Sequence, residues 1–393
     1  MPKIRVSTFL IAGSLAFPAV AQDPVPTPAA NAPYEPAFPE QTRAPQIDAD
    51  VTLNAEQIVS GLDHPWAVQP LPEGGFIITE RPGNMRVLTA DGTLSDPLQG
   101  LPEVDARGQG GLLDVTLSPD FADTRMIYWS YAEPRGENTN ATAVARGVLS
   151  EDNTRVDSVE VIFQQQPAWQ SDKHFGSRLV FAPDGTLFIT LGERSDPEPR
   201  VLAQDPQTNI GKLVRVNADG SIPEDNPDLG LPSNYAMGLR NIQAAALDSS
   251  GQLWTVEHGP QGGDELNMPE AGKNYGWPTI TYGIEYAGQP IGDGITEAEG
   301  MEQPVYYWDP VIAPSGALFY QGDLFDGWKD TLVIGALNPA GLVRLTMSGG
   351  QVTGEARYLP DIGRIRDVAE TADGAIWVVT DEDDGGLYKV TPQ

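Results

Sequence analysis

The chain has 393 residues with 24 Lys+Arg against 55 Asp+Glu, a net charge of −31. That excess repels nucleic acid and anionic membrane surfaces, both of which need basic patches. A hydrophobic content of 40% supplies a sizeable core, 42 Gly and 35 Pro favour tight turns over long helices, and zero Cys excludes disulfides, thiolate nucleophiles, zinc ribbons and iron–sulfur clusters.

The chain starts with Lys3 and Arg5, continues through a short apolar run over residues 6–20, and meets a small-x-small pattern at Ala19-Val20-Ala21. This is the pattern of a secretory signal peptide over residues 1–21, and its apolar run is shorter than the ~20 residues that span a bilayer. The expectation is a periplasmic or secreted protein with no membrane insertion after cleavage. Residues 22–50 are rich in Pro and Ala and read as an extended, poorly ordered tether. Residues 51–393 read as a single catalytic domain.

That domain repeats one pattern, an Asp/Gly turn followed by a short apolar strand. The copies are LPEGGFIITE (71–80), SPDFADTRMIYWSYA (118–132), APDGTLFITLGE (182–193), LDSSGQLWTVEHG (247–259), FDGWKDTLVIGAL (325–337) and TADGAIWVVTD (371–381). Each reads as the turn and inner strand of an antiparallel sheet, and their spacing matches propeller blades with loop insertions. The expectation is an all-β fold, a six-bladed β-propeller of four-stranded antiparallel sheets. A pair of β-sandwiches is the competing fold, but a sandwich has no reason to repeat its turn chemistry.

Propellers bind ligands at one mouth of the central channel, so loop residues with unusual chemistry matter most. Three histidines occur, His64, His174 and His258. His174, in the loop before a strand, suits a general base, although an isolated His is more often a hydrogen-bonded structural residue. His64 precedes Pro65-Trp66 and reads as structural, and His258 fits either role. Arg364 and Arg366 stand two apart, so on a strand they share a face and need an anion between them. That anion is either a polyanionic ligand or a local acid such as Asp361 or Asp367. Arg240-Asn241 forms a similar loop pair, and Gln109 lies among glycines that permit close approach of a ligand. The segment 257–278 is dense in Gly and carboxylates and suits calcium, with Asp264 and Glu265 as candidate ligands. The acidic DEDDGG run (381–386) reads as a solvated turn. Neither a P-loop nor a Rossmann fingerprint occurs.

Together these loops resemble the soluble PQQ-dependent sugar dehydrogenases, the glucose/sorbosone or aldose sugar dehydrogenase family. The matching stretches include PWAVQPLPEGGFIITERPG, GQGGLLDVTLSPDFA, HFGSRLVFAPDGTLFITLGER, GLRNIQ, EHGPQGGDELN, GKNYGWP, APSGALFY and GRIRDV, in family order over roughly residues 55–391. The resemblance implies pyrroloquinoline quinone (PQQ) and calcium at the mouth, with an aldose oxidised to its lactone and electrons passed to an external acceptor. It implies His174 as the base and Arg240 as the stabiliser of developing charge on the quinone. Gln109, Arg240, Asn241, Arg364 and Arg366 would contact the cofactor. Calcium would sit on the carbonyls of Gly259 and Pro260, with a further position at Glu265 and Tyr275, and Trp308 would stand near the substrate. Lys173 replaces an acid beside the base, and Asn338 stands where a Lys often contacts the cofactor. A calcium-dependent lactonase and a non-catalytic binding propeller are the alternative readings.

Overall fold

Each repeat unit builds one narrow antiparallel sheet, and six sheets stand around a central axis in the computed structural model, which describes residues 22–47 and 51–393. The leader expected over residues 1–21 lies outside the described residues. Five sheets have four strands, and the first has three, Pro65–Pro70, Gly75–Glu80 and Asn84–Thr89. A lone bridge between Leu88 and Leu94 extends that blade. The architecture is the six-bladed propeller.

The innermost strands are Pro65–Pro70, Leu112–Leu117, Gly176–Phe181, Ile242–Leu247, Pro314–Phe319 and Ile365–Glu370, and each packs against its neighbours around the axis. The repeated apolar strands are therefore not the inner ones, as the pattern first suggests. They are the second strands, such as Thr186–Leu191 and Ile376–Thr380, buried along both faces between flanking blades. A strand covered on both sides reads as a continuous apolar run, and this makes it the most repetitive part of each blade.

The last blade is completed from the front of the chain. Leu53–Leu62 pairs antiparallel with Gly385–Pro392, with Leu53 opposite Pro392. Between blades lie apolar clusters, for example Trp66, Ile77 and Met85 of the first blade against Leu113, Trp129 and Tyr131 of the second.

The Pro/Ala-rich segment is not a loose tether over the described residues 22–47. It lies across the rims of the fourth and fifth blades and is bonded along its length. Gln41 Nε2 donates to the Pro304 carbonyl at 3.0 Å, the Ala44 amide to the Tyr306 hydroxyl at 2.9 Å, and the Ile47 amide to the Glu355 carbonyl at 2.8 Å. Proline costs little chain entropy to order, so a Pro-rich segment that finds backbone partners becomes a strap.

Candidate active site

The inner strands all start at the same mouth, so residues just ahead of them converge there. His64 precedes Pro65, His174 and Phe175 precede Gly176, Asn241 precedes Ile242, Ala313 precedes Pro314 and Arg364 precedes Ile365. His64, His174 and Ala313 have φ near +47 to +49, a left-handed conformation that costs a non-glycine residue about 1–2 kcal/mol. Such strain aims a side chain into a mouth at the expense of stability. The mouth holds a cavity of about 300 Å³ whose wall includes His64, Arg81, Gln109, Asn241, Arg364, Arg366 and Asp381.

Directly ahead of the wall residues Phe175 and Gly176, His174 is buried, with Nδ1 2.9 Å from Glu193 Oε1. Glu193 is fully buried and also accepts from the Ser195 amide. The ionised carboxylate accepts a hydrogen bond from Nδ1–H, which leaves Nε2 unprotonated as the proton acceptor. Burial pushes the His174 pKa down and Arg240 pushes it further, while Glu193 pulls it back, so the net shift is below the ordinary histidine value. Glu193 itself is pushed up by burial, but His174 and Arg240 win and hold it low. The site thus holds a neutral imidazole beside an ionised carboxylate. Lys173 is exposed, and the acid that the sequence lacks beside the base is supplied by Glu193 instead. Gln109 Oε1 accepts from the His174 amide at 2.8 Å and fixes the loop.

This geometry sets a pH dependence. A base whose pKa lies below 6.5 is free above that value and is lost only as pH falls through the depressed pKa. The acid limb of kcat/KM is therefore expected below pH 6.5. Glu193→Gln removes a charge that raises the His174 pKa, so the limb should move to still lower pH while the plateau falls. A limb that moves to higher pH in this variant would contradict the pairing.

Arg240 lies behind the base. Its Nη1 donates to the carbonyls of His258 at 2.8 Å and Gly259 at 2.7 Å, and its guanidinium stacks 5.1 Å from the Trp277 ring. Its Nε is buried without a partner and lies 3.9 Å from Glu193 Oε1. Asn241 Oδ1 accepts from the Gly176 amide at 3.1 Å. His258 Nε2 donates to the Pro314 carbonyl, and burial lowers its pKa to about 3, so it is a neutral structural residue.

Across the cavity, Arg364 and Arg366 both line the wall, as their spacing predicts. Their acid is neither Asp361 nor Asp367 but Asp381, from the run read as a solvated turn. Arg366 forms a close ion pair with Asp381, Arg364 and Arg81 lie 3.9 and 4.0 Å from it, and His64 Nδ1 lies 2.9 Å away. Burial pushes Asp381 up, but Arg366 and Arg81 win and hold it well below the usual carboxylate range. His64 is therefore part of this cluster and not a remote structural residue. One carboxylate faces three guanidiniums, and Arg81 Nε is buried without a partner. In a chain of net charge −31 this local cationic excess suits an anion.

The floor is a buried triad on the axis. Arg178 Nη1 donates to Asp114 Oδ1 at 2.8 Å and Asp367 Oδ1 at 2.9 Å, and Nε donates to the Gln243 carbonyl at 3.2 Å. Asp367 is thus the partner of Arg178, and Gln243 Oε1 accepts from Arg366 at 3.2 Å just above. The floor and the cationic wall are one network.

The calcium candidates differ in how the fold already uses them. Asp264 accepts from the Gly259, Ile312 and Ala313 amides at 2.7 to 2.8 Å, so it braces the loop. The Gly259 carbonyl accepts from Arg240, and its second lone pair can still serve a cation. Glu265 stands directly opposite Glu257 across two strands, and burial first, then Glu257, raises its pKa well above the usual value. The half-buried Glu265 faces the buried Glu257 beside Asn267 Oδ1, which has no hydrogen-bond partner, and this oxygen-rich set suits a divalent cation. Among the described residues no three acidic or imidazole side chains form a ready metal cage, so a cation held here would take carbonyl ligands as well. Tyr275 packs its ring between blades with Leu239 and Ile242, and its hydroxyl donates to the Met268 carbonyl at 2.9 Å.

Trp308 is not at the mouth. It lies on the outermost strand of its blade, Tyr306–Trp308, where its indole donates to Glu355 at 3.0 Å in the core between the fourth and fifth blades. The outer strand is the one farthest from the axis, and the chain returns to the mouth only at Ala313. Asn338 is exposed at the turn after Leu332–Leu337 and does not line the cavity, whereas Leu337 does.

Comparison with known proteins agrees with this geometry. The family model described as glucose/sorbosone dehydrogenase matches residues 62–389. The aldose sugar dehydrogenase YliI of Escherichia coli is 46% identical over 353 residues, covering 88% of this chain and 94% of that protein. The apo crystal structure of the soluble aldose sugar dehydrogenase from E. coli superposes with a TM-score of 0.84 at 45% identity, covering 87% of this chain and 100% of that one. The PQQ-bound aldose sugar dehydrogenase from Streptomyces coelicolor does so with a TM-score of 0.73 at 26% identity, covering 87% and 99%. The propeller, the buried His–Glu pair and the arginine-lined mouth thus belong to a chain that is a member of the glucose/sorbosone dehydrogenase family of oxidoreductases.

Proposed function

We propose that the protein oxidises aldose sugars at the anomeric carbon to lactones, using PQQ and calcium, and passes the electrons to an external acceptor. The observation that carries this reading is the buried His174–Glu193 pair, set directly ahead of Phe175 and Gly176 in the wall of a cavity whose other wall is cationic. His174 Nε2 takes the anomeric hydroxyl proton while the hydride leaves the same carbon. Glu193 holds the ring tautomer and stabilises the imidazolium that forms. Gln109 and Asn241 fix the loops on either side.

The cationic wall fits PQQ, a planar tricarboxylate. Arg81 Nε and Arg240 Nε are buried donors without partners, and Arg364 and Arg366 share a single acid. Arg364 and Arg366 would hold carboxylates, and Arg240, Asn241 and Gln109 would bound the opposite side. The PQQ-bound Streptomyces relative supports this assignment. When bound, PQQ supplies the two-electron acceptor, and calcium adds Lewis-acid polarisation. The Gly259 and Pro260 carbonyls suit that cation, and Glu265 with the Tyr275 carbonyl suits a further one. The leader over residues 1–21 supports export to the periplasm or beyond.

The test is dye reduction with aldoses on apo protein, with and without added PQQ and calcium. Activity should require both. Exhaustive chelation should abolish turnover, and added calcium should restore it. A chelated, PQQ-loaded protein that keeps full activity and contains no metal by elemental analysis would remove calcium from the reading.

A further inference from the structure

We propose that the strap formed by residues 22–47 is a positioning element of the active site, and that Asp309 is the joint through which it acts. The inference rests on the reading of the Gly259–Gly263 loop as part of the catalytic mouth. The strap lies ahead of the family match, which begins at residue 62.

The loop is a tight reversal held on two sides. On the inner side Asp264 accepts the Gly259 amide at 2.7 Å. On the outer side the carboxylate of Asp309 packs flat against Gly262, and a Cβ there would meet its Cγ at 2.7 Å. Gly262 has φ +84, so the site needs glycine for space and for conformation alike. The Gly263 amide donates to the Trp308 carbonyl at 2.9 Å, which ties the loop to the residue beside Asp309.

Asp309 is buried, and the strap supplies the donors that hold its carboxylate. The Asn31 amide and Asn31 Nδ2 both donate to Oδ1 at 2.8 Å, and the Ala32 amide donates to Oδ2 at 2.9 Å. Arg43 Nη2 donates to the Asp309 carbonyl at 2.9 Å. Gln261 of the loop itself reaches Asn31 Oδ1 at 3.4 Å. Without the strap, a buried carboxylate would lose its donors and draw in water or turn outward, and the outer wall of the loop would go with it. The loop in turn presents the Gly259 carbonyl, one of two that fix Arg240, and Arg240 lies beside Glu193 and His174. The strap therefore reaches the base through a relay of Asp309, the loop, Arg240 and Glu193.

The test uses the full chain with Asp309→Ala, and Asn31→Ala as a milder variant in case the first folds poorly. Hydrogen exchange at the Gly263 amide should speed up about tenfold or more in Asp309→Ala, the scale of one lost hydrogen bond to a carboxylate. Exchange in the Ile365–Glu370 strand across the mouth should stay as in the parent. Sugar-dependent dye reduction should show kcat reduced about tenfold with KM changed far less, because the loop orients Arg240 and does not hold the sugar. Loop exchange within about twofold of the parent in both variants, or faster exchange with unchanged kcat, overturns the proposal. A parent protein that reduces no dye with any aldose sinks the sugar dehydrogenase reading, whereas the exchange result still decides whether the strap holds the loop.

Discussion

Replacing His174 with glutamine is expected to lower kcat by about 10²-fold or more, the usual contribution of a positioned general base. Glutamine keeps the approximate size and can still hydrogen-bond Glu193, but it accepts no proton. Cofactor absorbance and kcat, measured on the same sample, separate the two functions. PQQ binding should persist, because the wall that suits its carboxylates lies across the cavity at Arg364 and Arg366. Near-parental turnover with bound cofactor would remove His174 from the chemistry and leave its burial beside Glu193 as a packing arrangement.

The second large effect is expected at Arg366. Arg366→Ala should weaken PQQ binding by about 1.5–3 kcal/mol, the worth of a charge-assisted hydrogen bond, or roughly a ten- to hundredfold rise in Kd. Spacing alone suggests that the apo fold would be indifferent to this change, since two like charges cease to repel. The structure gives a different expectation. Arg366 already has an anion in Asp381, so its loss costs the apo protein an ion pair, and Arg364, Arg81 and His64 compensate in part. A modest fall in apo melting temperature should accompany the rise in Kd. Asp381→Asn then isolates the cofactor role. It removes the competing carboxylate, so PQQ should bind at least as tightly, although the apo form loses stability through three uncompensated guanidiniums. An unchanged Kd in Arg366→Ala would show that the pair serves Asp381 alone.

The propeller was legible because Asp/Gly turns punctuate the chain at each blade, and turn chemistry is local. Which strand the turn feeds was not, because burial on both faces makes the second strand the most regular in sequence. His174, Arg364 and Arg366 were legible as rare chemistry in an acidic chain. Glu193 and Asp381 were missed because an acid at the end of a strand looks like a solvated turn. A signal was present all the same. The repeated strand ends in an acid at Glu80, Glu193, Glu257 and Asp381, in FIITE, ITLGE, WTVE and WVVTD. All four are buried. Aligning the repeats on their final residue brings these carboxylates to one level of the propeller, at the mouth. The strap was misread for a different reason. Pro and Ala content describes a free chain, whereas the partners that order residues 22–47 lie more than 250 positions away, as in the contact of Asn31 with Asp309.

The closure of the last blade has a consequence for how the molecule comes into being. Leu53–Leu62 is among the first strands to be synthesised, and its partner Gly385–Pro392 is the last. The first five blades can form from neighbouring hairpins as the chain grows. The sixth cannot, because its outer strand waits unpaired until Gly385–Pro392 has been made. Joining ends so far apart in sequence is entropically costly and slow, and an early strand left waiting exposes an edge that can pair wrongly. The ring therefore shuts last, at the seam between Leu53–Leu62 and Gly385–Pro392. Loss of either strand undoes the same seam and yields an open ring with two unpaired edges.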